Sequence, residues 1–232
     1  AVERWNLTTA VMTAFLFMLL VLLFFIWKPE FQINLIPALT MAIIGMVTCR
    51  EKTAFLLHFL FCAVTALAMR GDLEYFLICA MGGAMAIMLL QRVRSRIKIF
   101  VCCLPVALFE GAMVIFWEMM ENNVLRDAVV NGFVMALGAV LSGILALGIL
   151  PVLESAFRLL TPFQLLEMTN SEHALLKRLM TEAPGTYHHS LMVGNLAENA
   201  ASVIGADPLL TRVGAYYHDI GKLKQPIMYK EN

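Results

Sequence analysis

The sequence is poor in charge and has no net excess of either sign. Charged residues make up 15% of its 232 residues, with 17 lysines and arginines against 17 aspartates and glutamates. The part from residue 154 onward holds seven basic and eight acidic residues, so it lacks the basic surface with which proteins bind duplex DNA or RNA. The composition therefore disfavours a nucleic-acid-binding protein.

The sequence also has few cysteines and no strand pattern. All five cysteines lie within or at the ends of apolar stretches, and their spacing matches no zinc site. Alternation of polar and apolar residues, which marks a half-buried strand, is absent. These absences argue against a disulfide scaffold and favour an all-α fold.

Apolar residues, in contrast, are abundant and occur in long blocks. They account for 60% of the chain, and the mean hydropathy is +0.78. A helix that crosses a bilayer core needs about 20 apolar residues. Six blocks approach this length, and only the third and fourth run short of it. The blocks are 6–27, 31–49, 53–69, 74–90, 97–117 and 128–153. Lipid cannot satisfy free backbone groups, so each block should be helical. The pattern predicts a polytopic transmembrane bundle over residues 1–153.

The charges of the short loops predict the orientation of this bundle. One loop has four cations and no acidic residue: Arg92, Arg94, Arg96 and Lys98. The loop at residues 118–127 is net acidic. We therefore place the basic loop in the cytoplasm and the acidic loop outside, which puts the chain after residue 153 in the cytoplasm. By the same count Arg50 and Ala1 are cytoplasmic.

Two ionisable residues, His58 and Glu110, lie inside the predicted bundle. Such groups are rare at membrane depth and often functional, but a neutral histidine or protonated glutamate bonded to a neighbouring helix also has a structural role, which we favour. The last block contains small residues that allow close helix approach, and we expect them to pack within the bundle rather than in a dimer: Gly132, Ala136, Ala139, Gly143 and Gly148.

Helix signals continue after residue 153 and predict a second, all-helical domain over residues 154–232. Thr161-Pro162 and Asp207-Pro208 each combine an N-cap residue with proline at the first helical position. A helix is expected over about 172–180, followed by a break at 183–185. From Tyr187, apolar residues recur at helical spacing as far as a helix-ending Gly205: Met192, Leu196, Ala200 and Val203.

Three potential metal ligands belong to the last two predicted helices. His189 lies in the first turn of one, and His218 and Asp219 lie near the end of the next. Short helices joined by a tight turn are antiparallel neighbours, so we expect the three side chains to converge. Imidazole and carboxylate groups suit borderline and hard divalent metals. Lys222, one turn beyond His218, would offer a positive charge to phosphate.

A His-Asp pair alone is common, but its surroundings here are distinctive. His-Ser-x-x-Val at residues 189–193 is followed about thirty residues later by His-Asp-Ile-Gly-Lys at 218–222. This pattern closely resembles the start of an HD-superfamily phosphohydrolase domain. Joined to a multi-span region that ends at residues 150–157, it is similar to the seven-transmembrane receptors with intracellular HD hydrolase.

The resemblance implies hydrolysis of the bacterial second messenger cyclic di-AMP to pApA, in the inner membrane, at a centre of two divalent ions, manganese or iron. It implies that His189, His218 and Asp219 are metal ligands, with Asp219 as the bridge and a catalytic group, and that Lys222 faces phosphate during catalysis. The neighbouring residues are expected to be structural: His188, Tyr187 and Tyr217.

The resemblance also leads to three further expectations. The chain ends thirteen residues after Asp219, so the later ligands of such domains are missing and this fragment should not hydrolyse substrate alone. The family has seven spans where six blocks are visible. An extracellular sensor domain is expected before Ala1, in conflict with the crossing count.

Two alternatives stay open. The substrate of the same kind of enzyme would be cyclic di-GMP or another nucleotide. Outside the enzyme class, the protein would be a membrane receptor whose tail only binds nucleotide. In either case the lipid bilayer is a partner, and the sequence leaves homo-oligomerisation open.

Overall fold

The computed structural model describes residues 2–27, 33–49, 51–68, 73–91, 95–121 and 124–232. Within these ranges the chain forms helices and turns and no strand, which confirms the predicted all-α fold. The chain divides into two compact units, Ala1–Leu159 and Leu160–Asn232.

The first unit is a helical membrane bundle. Among the described residues its α-helices are α1 Val2–Trp27, α2 Leu39–Thr48, α3 Glu51–Ala68, α4 Leu73–Leu90, α5 Arg96–Met120 and α6 Leu125–Phe157. Four of these described helices, α3 to α6, are long and apolar enough to cross a membrane. The protein is therefore a multi-pass membrane protein, as predicted.

The second predicted block is not one long helix. A 3-10 turn at Ile33–Leu35 and a non-helical stretch precede α2, which has ten residues and is thus about 15 Å long. Pro37 explains the break, because it has no N–H to donate and disfavours the helical conformation of the residue before it. The expectation that only the third and fourth blocks run short was wrong, because the helix of the second block is shorter than α3 and α4, which have 18 residues each.

Helices α5 and α6 pack closely through small residues. A Cβ on Gly132 would lie 2.6 Å from the carbonyl oxygen of Gly111, and one on Gly143 would lie 2.7 Å from Cys103 Sγ. These two glycines pack inside the bundle, as predicted. Gly148 differs, because a Cβ there would meet nothing within 4 Å.

An ion pair connects the start of α5 to the end of α6. Arg96 Nη2 lies 2.8 Å from Glu154 Oε2, and Glu154 is 5% exposed. These two helix ends therefore lie on the same side of the bundle, as the orientation prediction requires. Of the other cations of the basic loop, Lys98 lies in α5, whereas Arg92 and Arg94 lie outside the described residues, as does Arg50.

The second unit contains four short α-helices among its residues, all of which the structure describes. They are α7 Pro162–Met168, α8 Ala174–Glu182, α9 Pro184–Val203 and α10 Pro208–Tyr217. The 3-10 segments Ile220–Lys224 and Pro226–Met228 follow. Helix α8 begins two residues later than predicted.

Both predicted N-caps are confirmed. Thr161 Oγ1 accepts a hydrogen bond from the backbone N–H of Gln164 at 3.3 Å, and Asp207 Oδ1 accepts one from that of Leu210 at 3.0 Å. Gly205, with a φ of +72°, follows the end of α9, as predicted. The predicted break at residues 183–185 is instead the start of α9, where proline occupies the first helical position.

Candidate metal centre

His189, His218 and Asp219 converge in the second unit. Each residue has one potential ligand atom, and these three atoms all lie within 4.8 Å of one another. The ring centroids of the two histidines are 5.7 Å apart. His218 and Asp219 directly follow the last residue of α10, whereas the prediction placed them within the end of this helix. His189 lies in the second turn of α9 rather than the first, because this helix begins at Pro184. No other group of three such side chains was found in the part of the chain that the structure describes.

A backbone hydrogen bond determines which nitrogen of His218 is available to a metal. Nδ1 lies 2.6 Å from the carbonyl oxygen of Ala215, and because a carbonyl only accepts, Nδ1 donates. In the neutral ring Nε2 then has a free lone pair. Nε2 is also the atom that faces the carboxylate, at 3.4 Å from Asp219 Oδ2. Such a backbone acceptor is a common way to orient a metal-binding imidazole.

Lys222 lies between two carboxylates. Its Nζ is 2.8 Å from Asp219 Oδ2 and 2.7 Å from Glu231 Oε1. The hydrogen bond from Lys222 lowers the pKa of Asp219, and both carboxylates raise the pKa of Lys222. Asp219 is therefore ionised and Lys222 charged at neutral pH. Sequence reasoning missed Glu231, because no local pattern connects it to a lysine nine residues earlier.

Close packing holds α9 against α10. A Cβ on Gly194 would lie 2.5 Å from the ring of Tyr216. Arg212 donates a hydrogen bond to the Tyr216 hydroxyl at 2.9 Å and forms an ion pair with Glu198 at 3.1 Å. These contacts connect the helix that carries His189 to the helix that His218 follows, and sequence reasoning missed all of them.

Tyr217 connects the end of α10 to the segment between α7 and α8. Its hydroxyl donates to the carbonyl oxygen of Met168 at 2.8 Å and lies 2.9 Å from His173 Nδ1. Burial raises the pKa of Tyr217, so this hydroxyl is neutral near pH 7. His188 is exposed, and its ring centroid lies 5.7 Å from that of Tyr187 in an edge-to-face arrangement. It does not belong to the group of three converging side chains.

The donor set suits a divalent metal ion. Two imidazoles and one ionised carboxylate are the ligands that borderline and hard divalent ions prefer. Three protein ligands leave coordination positions open for substrate, as catalytic sites require. His189 and His218 are both exposed, and Asp219 is partly exposed, so these positions are within reach of solvent.

Comparison with protein families matches both units of the chain. Residues 3–161 match the family described as 7TM receptor with intracellular HD hydrolase, and residues 186–231 match the HD domain. The second match includes His189, His218, Asp219, Lys222 and Glu231.

Three curated proteins are clearly similar. The chain is 39% identical over 229 residues to the cyclic-di-AMP phosphodiesterase PgpH of Listeria monocytogenes, covering 94% of this chain and 31% of that protein. It is 40% identical over 161 residues to PgpH of Bacillus subtilis, covering 68% and 22%. An uncharacterized protein of Synechocystis sp. is 36% identical over 168 residues, covering 68% and 20%. The chain thus spans less than a third of the length of each relative. No solved structure is significantly similar.

Proposed function

This chain belongs to the family of 7TM receptors with intracellular HD hydrolase, and we propose on that basis that the whole protein is a metal-dependent phosphodiesterase that hydrolyses cyclic di-AMP to pApA. The observation that carries the proposal is the convergence of His189, His218 and Asp219 within the HD match. Two relatives are named cyclic-di-AMP phosphodiesterases, which supports this substrate over cyclic di-GMP.

We propose that His189, His218 and Asp219 would hold two divalent metal ions, manganese or iron, and that Asp219 would be the ligand common to both. When bound, such ions supply Lewis acidity that neutralises charge on a phosphodiester. His218 would bind through Nε2, because its Nδ1 proton is held by a carbonyl. Lys222 keeps Asp219 ionised. To stabilise the reacting phosphate, Lys222 would exchange its bond to Glu231 for one to substrate.

The proposal includes a location and a division of the chain. The protein would lie in the bacterial inner membrane, with residues 1–153 as the bundle and 154–232 as part of a cytoplasmic HD domain. The basic loop and the Arg96–Glu154 pair support this orientation, because the pair joins the start of α5 to the end of α6. The HD domain would then act on a cytoplasmic messenger, under the influence of the bundle to which it is joined.

The test is turnover by the whole purified protein. It is incubated with Mn²⁺ and cyclic di-AMP, and the product pApA is measured by chromatography. His218→Ala and Asp219→Ala should each reduce turnover to background and lower the manganese content of the protein. His188→Ala is the matched control, because it removes an exposed imidazole next to His189 that is outside the ligand group.

Each outcome decides between the hypotheses. Unchanged turnover in both His218→Ala and Asp219→Ala would overturn the site assignment. A folded wild-type protein that binds manganese and cyclic di-AMP without releasing pApA would be a receptor rather than an enzyme. Faster hydrolysis of cyclic di-GMP than of cyclic di-AMP would overturn the substrate assignment alone.

A further inference from the structure

Glu110 lies deep within the membrane-spanning helix α5. At about 1.5 Å per residue it is roughly 21 Å from the start of this helix at Arg96 and 15 Å from its end at Met120. The side chain is 2% exposed. An ionisable group at this depth is strongly unfavourable unless it is paired or bonded, so its surroundings decide which form it takes.

Helix α4 makes room for both ionisable residues of the bundle. A Cβ on Gly82 would collide with Glu110 Oε1, and one on Gly83 would collide with His58 Nε2. Glycine at these two positions therefore lets both side chains reach the α4 backbone. His58 uses this approach for a hydrogen bond, with Nε2 2.9 Å from the carbonyl oxygen of Cys79. This bond gives His58 a structural role.

Glu110 has no corresponding bond. Its Oε1 is buried and has no hydrogen-bond partner among the described residues. It lines a narrow crevice with residues from α2, α4, α6 and the stretch before α2, including Asn34, Leu39 and Ser142. The crevice has no space for a water molecule, and among the described residues no lysine or arginine lines it. With respect to the part of the chain that the structure describes, an ionised carboxylate would thus lack a cation, a water and a donor to Oε1.

We propose that Glu110 is a proton-binding site of the membrane bundle, which holds its proton while the crevice is closed and releases it only when the crevice opens to water. A neutral carboxylic acid avoids the unpaired buried charge that the closed crevice would otherwise impose. The ligand of the site is a proton, and its release is coupled to a change in the packing of the bundle.

The neighbouring titratable groups do not replace this proton with a cation. On the described helices packed around Glu110 they are one imidazole, one phenol and three thiols: His58, Tyr75, Cys62, Cys79 and Cys103. None of them is a lysine or an arginine, and the described hydrogen bond of His58 Nε2 is to the carbonyl oxygen of Cys79 rather than to Glu110.

One wall of the crevice is formed by the residues before α2 and has no regular α-helix. It contains the 3-10 turn Ile33–Leu35 and the non-helical residues before α2. Non-helical backbone at membrane depth is tolerated only where it is buried in protein or lines a cavity. Close packing at Gly138 and a long hydrogen bond of 3.3 Å from Thr40 Oγ1 to the carbonyl oxygen of Ser142 hold this wall to α6.

Infrared difference spectroscopy of the whole protein in lipid tests the proposal, because a neutral carboxylic acid has a carbonyl stretching band that a carboxylate lacks. At neutral pH the wild type should show such a band, shifted by deuteration, that is lost in Glu110→Gln. Glu118→Gln is the matched control on the same helix. Its carboxylate accepts a hydrogen bond from Asn131 at 2.7 Å, and this variant should keep the band.

Two results would overturn the proposal. A carboxylic-acid carbonyl band of equal intensity in the wild type and in Glu110→Gln would show that Glu110 is ionised. Loss of the band when sodium is added at constant pH would show that the site binds a metal cation instead. If Glu110→Gln does not fold, wild-type protein with ¹³C-labelled glutamate replaces it. A band that stays at the frequency of the unlabelled protein would be equally decisive against Glu110. None of these readouts depends on phosphodiesterase activity.

Discussion

Replacing Gly194 by alanine should separate the two helices that carry the candidate metal ligands. The new Cβ would lie 2.5 and 2.7 Å from two ring atoms of Tyr216. This ring is 4% exposed, and a hydrogen bond from Arg212 to its hydroxyl restrains it. Because the ring cannot easily move aside, α9 must shift away from α10. That shift moves the ring of His189, on α9, relative to the two candidate ligands that follow α10, His218 and Asp219.

The expected change in stability of Gly194→Ala is the difference between two opposing effects. Alanine favours a helix over glycine by about 1 kcal/mol, whereas overpacking a buried contact costs about 1–3 kcal/mol. Gly214, on α10, provides the matched control, because a Cβ there would meet nothing within 4 Å. Gly214→Ala should therefore gain about 0.4–1 kcal/mol. The two alanine variants should differ by about 1–3 kcal/mol, to the disadvantage of Gly194→Ala.

Hydrogen exchange of the α9 and α10 amides in the whole protein measures this difference. About 1–3 kcal/mol corresponds to roughly 5- to 150-fold in an equilibrium, so amide protection should be lower in Gly194→Ala than in Gly214→Ala by that factor. Manganese affinity should fall in Gly194→Ala only. Equal gains of protection in both variants would refute the close approach of the two helices as the cause.

Two other interactions yield predictions of similar size. Asp207→Ala removes the side-chain acceptor of the Leu210 N–H and should cost about 1 kcal/mol, seen as lost exchange protection at the start of α10 that Asp207→Asn largely retains. Arg96→Met removes the 2.8 Å ion-pair partner of the buried Glu154; because Arg96 is 30% exposed, we expect about 1–3 kcal/mol rather than the full cost of a buried unpaired charge. Thermal unfolding in detergent should show a lower midpoint for Arg96→Met than for the wild type. Adding Glu154→Gln to Arg96→Met should partly restore the midpoint, and an unchanged midpoint in Arg96→Met would contradict this account.

Local signals in the sequence predicted the helix starts and the convergence of the ligands. The caps at Thr161 and Asp207 could be predicted because a side-chain acceptor and a following proline act within one turn. His189 and His218 could be placed together because a tight turn between two helices determines which ends meet. Both inferences depend only on residues close in sequence or on helix length.

The packed face of α9 could not be predicted in this way. Its apolar positions Met192, Leu196 and Val203 are 62%, 72% and 86% exposed, whereas Ser190 is 1% exposed. Hydrophobic periodicity predicts that the apolar positions form the packed face of α9. In the structure, however, α9 approaches α10 at Gly194. That contact depends on the shape of a tyrosine 22 residues away, which the periodicity of one helix does not contain.

The number of membrane crossings depends on α2. Six crossings place the start of α1 in the cytoplasm, whereas an odd number of crossings, as in a 7TM family, places it outside. Helix α2 is about 15 Å long, half of a bilayer core of about 30 Å. Its Gly45 lies against Ala54, near the start of α3, so α2 occupies the half of the bundle on the predicted cytoplasmic side. Counting α2 as a half-span reduces the crossings to five and removes the conflict.

We therefore expect the end of α1 at Trp27 to lie on the cytoplasmic side. Trp27 and Met120, at the end of α5, are 76% and 70% exposed, so a cysteine at either position is suited to labelling. In a cysteine-free background, a membrane-impermeant maleimide should label Met120→Cys in intact cells and Trp27→Cys only after permeabilisation. Equal labelling of both in intact cells would place the end of α1 outside. The chain from α1 to α2 would then complete a crossing, and the charge-based count of six would be correct.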